Sequence, residues 1–234
     1  MIIETQAILG GQVLGRRSRQ EDAWDSGMSP AGPWAAVADG LGGHADGDRA
    51  SQWALVALRA FIDRHPAPPG PLDLWMRDGV KAAHEAVRTL GRRNDPRPPA
   101  TTLLWAVSQR DQLWMAHVGD CRATFIRGEN AKPLTLDMTP AGERVWRHEA
   151  PWDSQNTAPD AHQLVSCLGI DPVIVEVFPV SWQSGDAVVL ATDGLNPIPV
   201  GDWPAILATP DPVATALAQG PLADNATLVV LQHA

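Results

Sequence analysis

Acidic residues stand at the ends of four short apolar runs in this sequence. An Asp-Gly or Asp-Asn pair is a common turn, so any one of these acids alone is better explained as a turn residue. Four of them would converge on one rim if the runs are neighbouring strands. They are Asp39 after residues 34–38, Asp193 after 187–192, Asp224 before 226–231, and Glu21-Asp22 before the run around Trp24.

Converging carboxylates repel one another and raise each other's pKa unless a positive charge lies between them. A hard divalent cation relieves this repulsion, and oxygen-only ligation favours Mg²⁺ or Mn²⁺ over Zn²⁺. Two such ions, about 3.5–4 Å apart, can share a water and make it a hydroxide near neutral pH. The acids therefore predict a two-metal hydrolytic centre.

Arg17 and the glycines after Asp39 extend this interpretation. Residues 40–43 read Gly-Leu-Gly-Gly, which lets the backbone turn sharply and approach a ligand closely. The planar guanidinium of Arg17 can hold a phosphate through two hydrogen bonds beside the metals. Taken alone, Arg17 could equally pair with Glu21 or Asp22 at the surface.

The elements that must position these residues follow from apolar spacing and turn signals. Residues 48–64, 72–90 and 211–218 are predicted to be helices, and 140–163 is polar and only weakly helical. Strands are predicted at 2–9, from Trp24, 34–38, 101–108, 112–118, 122–126, 173–180, 187–191 and 226–231.

The strands at 101–108, 112–118 and 122–126 are predicted to form one antiparallel meander, with Gly119-Asp120 as a hairpin turn. Grouped strands and consecutive helices favour an α+β fold over a doubly wound parallel sheet. We expect two packed antiparallel β-sheets flanked by pairs of α-helices. No repeat or linker divides the chain, so residues 1–234 are predicted to be one domain.

Composition restricts the classes of function. The chain has 234 residues, 44% hydrophobic and 19% charged, which fits a folded domain rather than a disordered one. A net charge of −9 argues against a nucleic-acid partner. No apolar run is long enough for a membrane helix and no signal peptide is recognisable, so we expect a cytoplasmic monomer. Cys121 and Cys167 are expected to be buried, inert thiols.

The ordered motifs resemble those of the metal-dependent, type 2C serine/threonine protein phosphatases, and the bacterial branch in particular. The resemblance spans residues 10–231. Its motifs are Gly15-x-Arg17-x-x-Gln20-Glu21-Asp22, Asp39-Gly-Leu-Gly-Gly-His44, Gly119-Asp-Cys-Arg122, Leu134-Thr-Leu-Asp-Met-Thr139, Leu168-Gly169, Asp193-Gly-Leu195 and Asp224-Asn-Ala-Thr227.

The resemblance implies roles for individual residues. Asp39 would bridge two Mn²⁺ or Mg²⁺ ions, with the Gly40 carbonyl on one of them. Four acids would serve the other ion: Asp193 and Asp224 as ligands, and Glu21 and Asp22 through its waters. Arg17 would bind the substrate phosphate. Asp120 would help to bind a third ion, although a hairpin turn explains the same residue.

Some positions depart from the family pattern. Leu41 stands where some members have a histidine that acts as general acid, which leaves His44 as the candidate general acid near the turn. Met138 replaces a polar residue and is expected to pack. Gln20 replaces Asn and keeps the amide chemistry. Asp48 replaces Glu and is an alternative N-cap for the following helix.

Residues 140–163 match the variable flap of the family. Arg144, Arg147 and Trp146 could contact a phosphoprotein there, or form an amphipathic helix that docks its tryptophan.

The expected activity is hydrolysis of phosphoserine and phosphothreonine on proteins that a cognate bacterial kinase has phosphorylated. A water activated by the metals would attack phosphorus directly, without a phosphoenzyme. A phosphatase for small phosphorylated molecules and a non-catalytic phosphoprotein-binding module are the alternatives.

Overall fold

The structure, a computed structural model, describes residues 7–41, 46–91, 97–219 and 223–233. Within these ranges the strands are β1 (Ala7–Val13), β2 (Asp22–Ser29), β3 (Gly32–Asp39), β4 (Leu103–Gln109), β5 (Gln112–Val118), β6 (Arg122–Arg127), β7 (Asn130–Pro133), β8 (Glu176–Ser181), β9 (Asp186–Ala191) and β10 (Ala226–Gln232). The α-helices are α1 (Gly47–Arg64), α2 (Asp73–Arg88), α3 (Pro140–Trp146), α4 (Ser154–Thr157), α5 (Trp203–Leu207) and α6 (Pro212–Leu217).

Two five-stranded antiparallel sheets form the centre of the fold. The first has the strand order β2-β3-β4-β5-β8, and the second has β1-β10-β9-β6-β7. Each strand runs opposite to its neighbours. The predicted fold class of two antiparallel sheets with flanking helices is therefore confirmed.

Alternation along the strands sets the layers, because successive side chains of a strand point to opposite faces. In β3, Ala35 and Val37 join the cluster between the sheets, whereas Trp34 and Ala36 pack with α1 and α2. In β9, Val188 and Leu190 join the same central cluster. The outward residues of β9 pack with α5 and α6. The order is thus helix pair, sheet, sheet, helix pair.

The predicted three-stranded meander is wrong, because β6 leaves the sheet of β4 and β5. It pairs with β9 and β7 in the second sheet. Gly119 makes this crossover sharp: it has φ +104°, and a Cβ there would lie 2.6 Å from Thr102 Cγ2. Only glycine accepts both conditions without strain. Gly119-Asp120 is consequently a sheet-to-sheet crossover and not a hairpin turn.

Other boundaries differ by a few residues. The first strand runs from Ala7 to Val13, and residues 2–6 lie outside the described part of the chain. The helices predicted at 48–64 and 72–90 are α1 and α2. The short elements β7 and α5 were not predicted, since each covers only four or five residues.

The segment 140–163 is weakly helical, as predicted, with α3 and α4 as its only helices. Thr139 caps α3 by accepting a hydrogen bond from the Gly142 N–H at 3.1 Å. Trp146 is 69% exposed, so the alternative in which this segment docks its tryptophan on the protein is wrong. Among the described residues, the structure has no helix with the length and apolar character that a bilayer span requires.

Candidate active site

The predicted acids meet at one end of the sheet sandwich, where β3 and β9 finish and β10 begins. We call this the site end, and the opposite end the far end. A cavity of about 500 Å³ opens there. Its lining includes seven of the predicted site residues: Arg17, Glu21, Asp39, Gly40, Asp120, Asp193 and Asp224.

Asp22 lies beneath the cavity and links the two sheets. Its Oδ2 accepts hydrogen bonds from the hydroxyl groups of Thr192 at 2.7 Å and Thr227 at 2.8 Å. Its Oδ1 is buried without a hydrogen-bond partner. Asp22 is also directly opposite Asp39 in the register of β2 and β3. Like charges in that position destabilise a sheet, and a bound cation would relieve the repulsion.

The Asp39-Gly40 turn is held through its backbone. The Asp39 carbonyl accepts hydrogen bonds from Thr101 Oγ1 at 2.8 Å and from the Thr102 N–H at 2.9 Å. The Gly40 N–H donates to the Glu21 carbonyl at 3.0 Å. A Cβ on Gly40 would lie 2.1 Å from the carbonyl oxygen of Gly47, which explains the glycine.

Asp193 begins a 3-10 turn directly after β9, and its Oδ1 is buried without a hydrogen-bond partner. The following Gly194 packs tightly, since a Cβ there would lie 1.9 Å from the carbonyl oxygen of Asn225. This close approach brings the end of β9 against the start of β10, and with it Asp193 beside Asp224.

Burial and mutual repulsion raise the pKa values of the carboxyl groups at the site. Burial raises the pKa of Asp22 to about 6, although hydrogen bonds from Thr192 and Thr227 oppose this. Burial, followed by the charge of Asp193, raises the pKa of both Asp39 and Asp120. Burial and the charge of Asp224 raise the pKa of Asp193. The site end therefore concentrates more negative charge than the protein itself neutralises.

These observations test whether the residues fit divalent metal ions. Among the described residues, no group of three His, Cys, Asp or Glu side chains is arranged to hold an ion as it stands. The donor set nevertheless fits, because two buried carboxylate oxygens, Asp22 Oδ1 and Asp193 Oδ1, have no hydrogen-bond partner. All-oxygen donors of this kind suit Mg²⁺ or Mn²⁺, which would draw the carboxylates together.

Arg17 pairs with Asp224, and not with Glu21 or Asp22 as the surface alternative had it. Its Nη2 lies 2.5 Å from Asp224 Oδ2. The side chain remains 45% exposed at the cavity. A guanidinium has five N–H donors, so Arg17 can bind a phosphate while it contacts Asp224.

A sequence profile described as Protein phosphatase 2C matches residues 10–224 of the chain. The chain belongs to this family. It is similar to the serine/threonine phosphatase stp of Listeria monocytogenes, with 29% identity over 180 residues that cover 75% of this chain and 71% of that protein.

Two solved structures show the same fold. The S. agalactiae serine/threonine phosphatase has a TM-score of 0.86 at 24% identity and covers 98% of this chain and 100% of its own. The catalytic domain of the serine threonine protein phosphatase PstP, in complex with 2 manganese ions, has a TM-score of 0.79 at 26% identity and covers 97% of both chains.

Asn225 of this phosphatase 2C chain also lines the cavity, and no role was predicted for it beyond its place in a turn pair and in the Asp224-Asn-Ala-Thr227 motif. Its side chain is buried and donates to the carbonyls of Leu14 at 2.9 Å and Arg19 at 3.0 Å. Its Oδ1 accepts from the Glu21 N–H at 2.8 Å. These three bonds hold the loop that carries Arg17 against the start of β10.

Two histidines bear on the site, the predicted His44 and His162, which was not predicted. His44, the predicted general acid, lies outside the described residues. Leu41, which stands where some members of the family have a histidine, lines the cavity. His162 also lines it, and lies near enough to Asp193 to lower the pKa that burial raises there. His162 reaches the site only through the folding of the flap, so no local sequence motif predicts its position there.

Arg144 and Arg147, the predicted substrate contacts of the flap, do not line the cavity. Arg144 binds Asp160 through two hydrogen bonds of 2.8 and 2.6 Å, and Arg147 pairs with Glu143 at 2.5 Å. The Arg144–Asp160 pair fastens α3 to the turn just before His162. In this structure Arg144 therefore orders the flap.

Three departures from the family pattern have a structural explanation. Met138 is buried, as expected, and its sulfur accepts the Gly119 N–H at 3.3 Å. Gln20 bonds the Val13 carbonyl and the Asp22 N–H, each at 3.1 Å. Asp48 is not a cap, because α1 has Asp46 at its N-cap position; Asp48 lies 3.5 Å from Arg19.

Proposed function

We propose that this phosphatase 2C chain hydrolyses phosphoserine and phosphothreonine on proteins. The observation that carries the proposal is the convergence of Asp39, Asp193 and Asp224 beside Arg17 in one open cavity. Carboxylates with unpaired oxygens suit metal ions, and the guanidinium suits a phosphoryl group. The serine/threonine phosphatase name of the Listeria monocytogenes relative supports the substrate class.

Two Mn²⁺ or Mg²⁺ ions are the proposed cofactors, with a third at Asp120. The PstP catalytic domain bound to manganese ions supports this choice. When bound, such ions supply an activated water and neutralise charge on the phosphoryl group. Asp39, the Gly40 carbonyl, Asp193 and Asp224 would hold them. Glu21 and the free Oδ1 of Asp22 would orient water around them.

Arg17 would bind and orient the phosphoryl oxygens, so that the leaving oxygen of serine or threonine points away from the attacking water. Its contact with Asp224 fixes the guanidinium at the edge of the acids. Positioning and charge neutralisation account for most of the rate enhancement in phosphoryl transfer. This role predicts that Arg17→Ala weakens phosphopeptide binding more than metal binding.

We also propose that residues 1–234 are one phosphatase domain, a cytoplasmic monomer that reverses a serine/threonine kinase. The match over residues 10–224 supports a single phosphatase domain, and the serine/threonine phosphatase name of the Listeria monocytogenes relative is consistent with action on the products of such a kinase.

Steady-state hydrolysis of a phosphothreonine peptide, with and without Mn²⁺ or Mg²⁺, tests the proposal. We expect activity that rises with metal and nearly disappears in Asp39→Asn. Full turnover in excess chelator would contradict the metal role. Hydrolysis of small phosphorylated metabolites but of no phosphopeptide would identify a small-molecule phosphatase. Absence of divalent binding in calorimetry would point to a non-catalytic binding module.

His162 and His44 are the candidate donors of a proton to the leaving oxygen. His162 has the support of its position in the cavity lining. A donor matters most for a poor leaving group such as threonine, and little for p-nitrophenolate. Each histidine changed to Gln should therefore be compared on a phosphothreonine peptide and on p-nitrophenyl phosphate. The donor is the residue whose loss slows only the peptide.

A further inference from the structure

The active-site cavity has a second wall, formed by residues 164–172. Four of its cavity-lining side chains are apolar: Leu164, Val165, Ile170 and Pro172. Asp171 also lines the cavity and is the one charged residue in residues 164–172. The proposed chemistry at the acidic rim uses none of these side chains. A largely apolar wall can pack against the side chains of a peptide, whereas it offers a small, highly charged metabolite no polar partners.

This wall is fixed to the rest of the protein by hydrogen bonds. Leu168 and Thr101 exchange two backbone bonds of 3.2 and 2.8 Å. The Val165 N–H donates to the Met138 carbonyl at 2.8 Å. Ser166 Oγ donates to the Ile174 carbonyl at 3.1 Å and accepts from the Ile174 N–H at 2.9 Å. A wall held in this way presents a preformed surface, which lowers the entropic cost of binding.

Helix α2 orients the carboxylate of Asp171. The Gly169 N–H donates to His84 Nδ1 at 3.1 Å, so the ring proton is on Nε2. That nitrogen lies 3.2 Å from Asp171 Oδ1. The buried imidazole therefore holds one carboxylate oxygen, and Asp171 stays 63% exposed.

The charge of Asp171 is only partly compensated. Arg88 Nη1 lies 3.5 Å from Asp171 Oδ2 and 3.4 Å from Glu85 Oε1, so one cation serves two carboxylates. Together these three side chains have a net charge of −1. Within the described part of the chain, His84 and Arg88 are the only basic side chains paired with Asp171, so Asp171 presents negative charge at the cavity and can take a further cationic partner.

We infer that Asp171 selects phosphoproteins that have an arginine or lysine close to the phosphorylated residue. The inference rests on the proposed phosphatase function and assigns a substrate preference to the same cavity. The apolar residues of the wall would pack along the aliphatic stem of the basic side chain, while its charged head reaches Asp171. Charge complementarity of this kind contributes specificity more than raw affinity.

A panel of phosphothreonine peptides tests the inference, with one arginine placed in turn at each position around the phosphothreonine and glutamine as reference. For the wild-type protein we expect kcat/KM to be roughly two- to fivefold higher at the best arginine position, as for an exposed ion pair. The preference should shrink with added salt. Asp171→Asn should abolish it, and Asp171→Glu should restore most of it.

Glu85→Gln is the matched control. It removes the same charge and the same Arg88 contact, but Glu85 does not line the cavity. We expect the arginine preference to survive in this variant, although it should be smaller because Arg88 then pairs with Asp171 alone. A preference that persists in Asp171→Asn, or none in the wild type, overturns the inference while the phosphatase function stands. Hydrolysis of no phosphopeptide at all overturns both.

Discussion

Strand β9 has an aspartate at each end, and the two have opposite environments. At the far end, both carboxylate oxygens of Asp186 accept hydrogen bonds. Arg127 donates to the two oxygens at 2.7 and 2.6 Å, and the Gln183 N–H donates at 2.7 Å. Burial alone would raise its pKa, but these bonds outweigh that effect and the pKa is lowered. At the site end, Asp193 has a raised pKa and an unpaired buried oxygen.

Asp186 therefore stabilises the fold, whereas the burial of Asp193 costs the fold stability. Buried polar atoms in proteins nearly always have partners, so an unpaired carboxylate oxygen requires an explanation. At Asp193 the proposed metal site supplies that explanation, since other carboxylates of the same cavity repel it and a bound cation would relieve the repulsion. At Asp186 the cross-strand partner Arg127 is directly opposite in the register of β6 and β9, and no further role is needed.

Asp193→Asn should cause the largest effect. We expect kcat/KM on a phosphothreonine peptide to fall by about 10³-fold, because the variant loses a proposed ligand of the metal ions that would neutralise charge on the phosphoryl group. The metal-free variant should melt at a higher temperature than the metal-free wild type, because a repelling carboxylate has been removed. Thermal melts in chelator, alongside activity assays with Mn²⁺, measure both. An active but less stable variant would refute the contrast between the two acids.

Asn225→Ala should reduce kcat/KM by about 100-fold, because a small displacement of a positioning group is costly. The loop that carries Arg17 would lose its bonds through Leu14, Arg19 and Glu21. If Asn225 acts through Arg17, the double variant should be no slower than Arg17→Ala alone. In that case the effect of Asn225→Ala should appear mainly in KM. Additive losses in the double variant would show instead that Asn225 acts independently of Arg17.

A site residue could be predicted from the sequence when its position depends on neighbouring residues of the chain, and not when it depends on distant segments. Asp39, Asp193 and Asp224 could be found because each ends or precedes an apolar run that is visible locally. The crossover at Gly119 could not, since the length of a turn does not say which sheet the next strand joins. Asn225 and His162 depend on contacts with distant segments, which no local motif encodes. Arg144 had the right chemistry, but its partner Asp160 was not foreseen.

Two glycines extend the comparison to the backbone. Gly119, at the site end, has φ +104°, and its Cβ would meet Thr102, whose hydroxyl accepts the Asp39 N–H. Gly128, in the β6–β7 turn at the far end, has φ +59° and open space around it. Gly119→Ala should lower the free energy of unfolding by about 2–3 kcal/mol and reduce activity. Gly128→Ala should cost only about 1 kcal/mol and retain activity. Denaturant titration and peptide assays of both variants check this; equal costs would refute it.

Asp186→Asn should leave catalysis unchanged and lower only the stability of the fold. Asparagine keeps one acceptor, so we expect a loss of about 1–2 kcal/mol in the free energy of unfolding at pH 7.

Because the pKa of Asp186 is lowered, the unfolded chain binds more protons at this carboxyl as the pH falls below 5. The stabilisation from Asp186 is therefore present at neutral pH and is lost on acidification. Denaturant titrations at pH 7 and pH 3 should show the two proteins converging at the lower pH. A constant difference would mean that packing, and not the charge on Asp186, stabilises the far end.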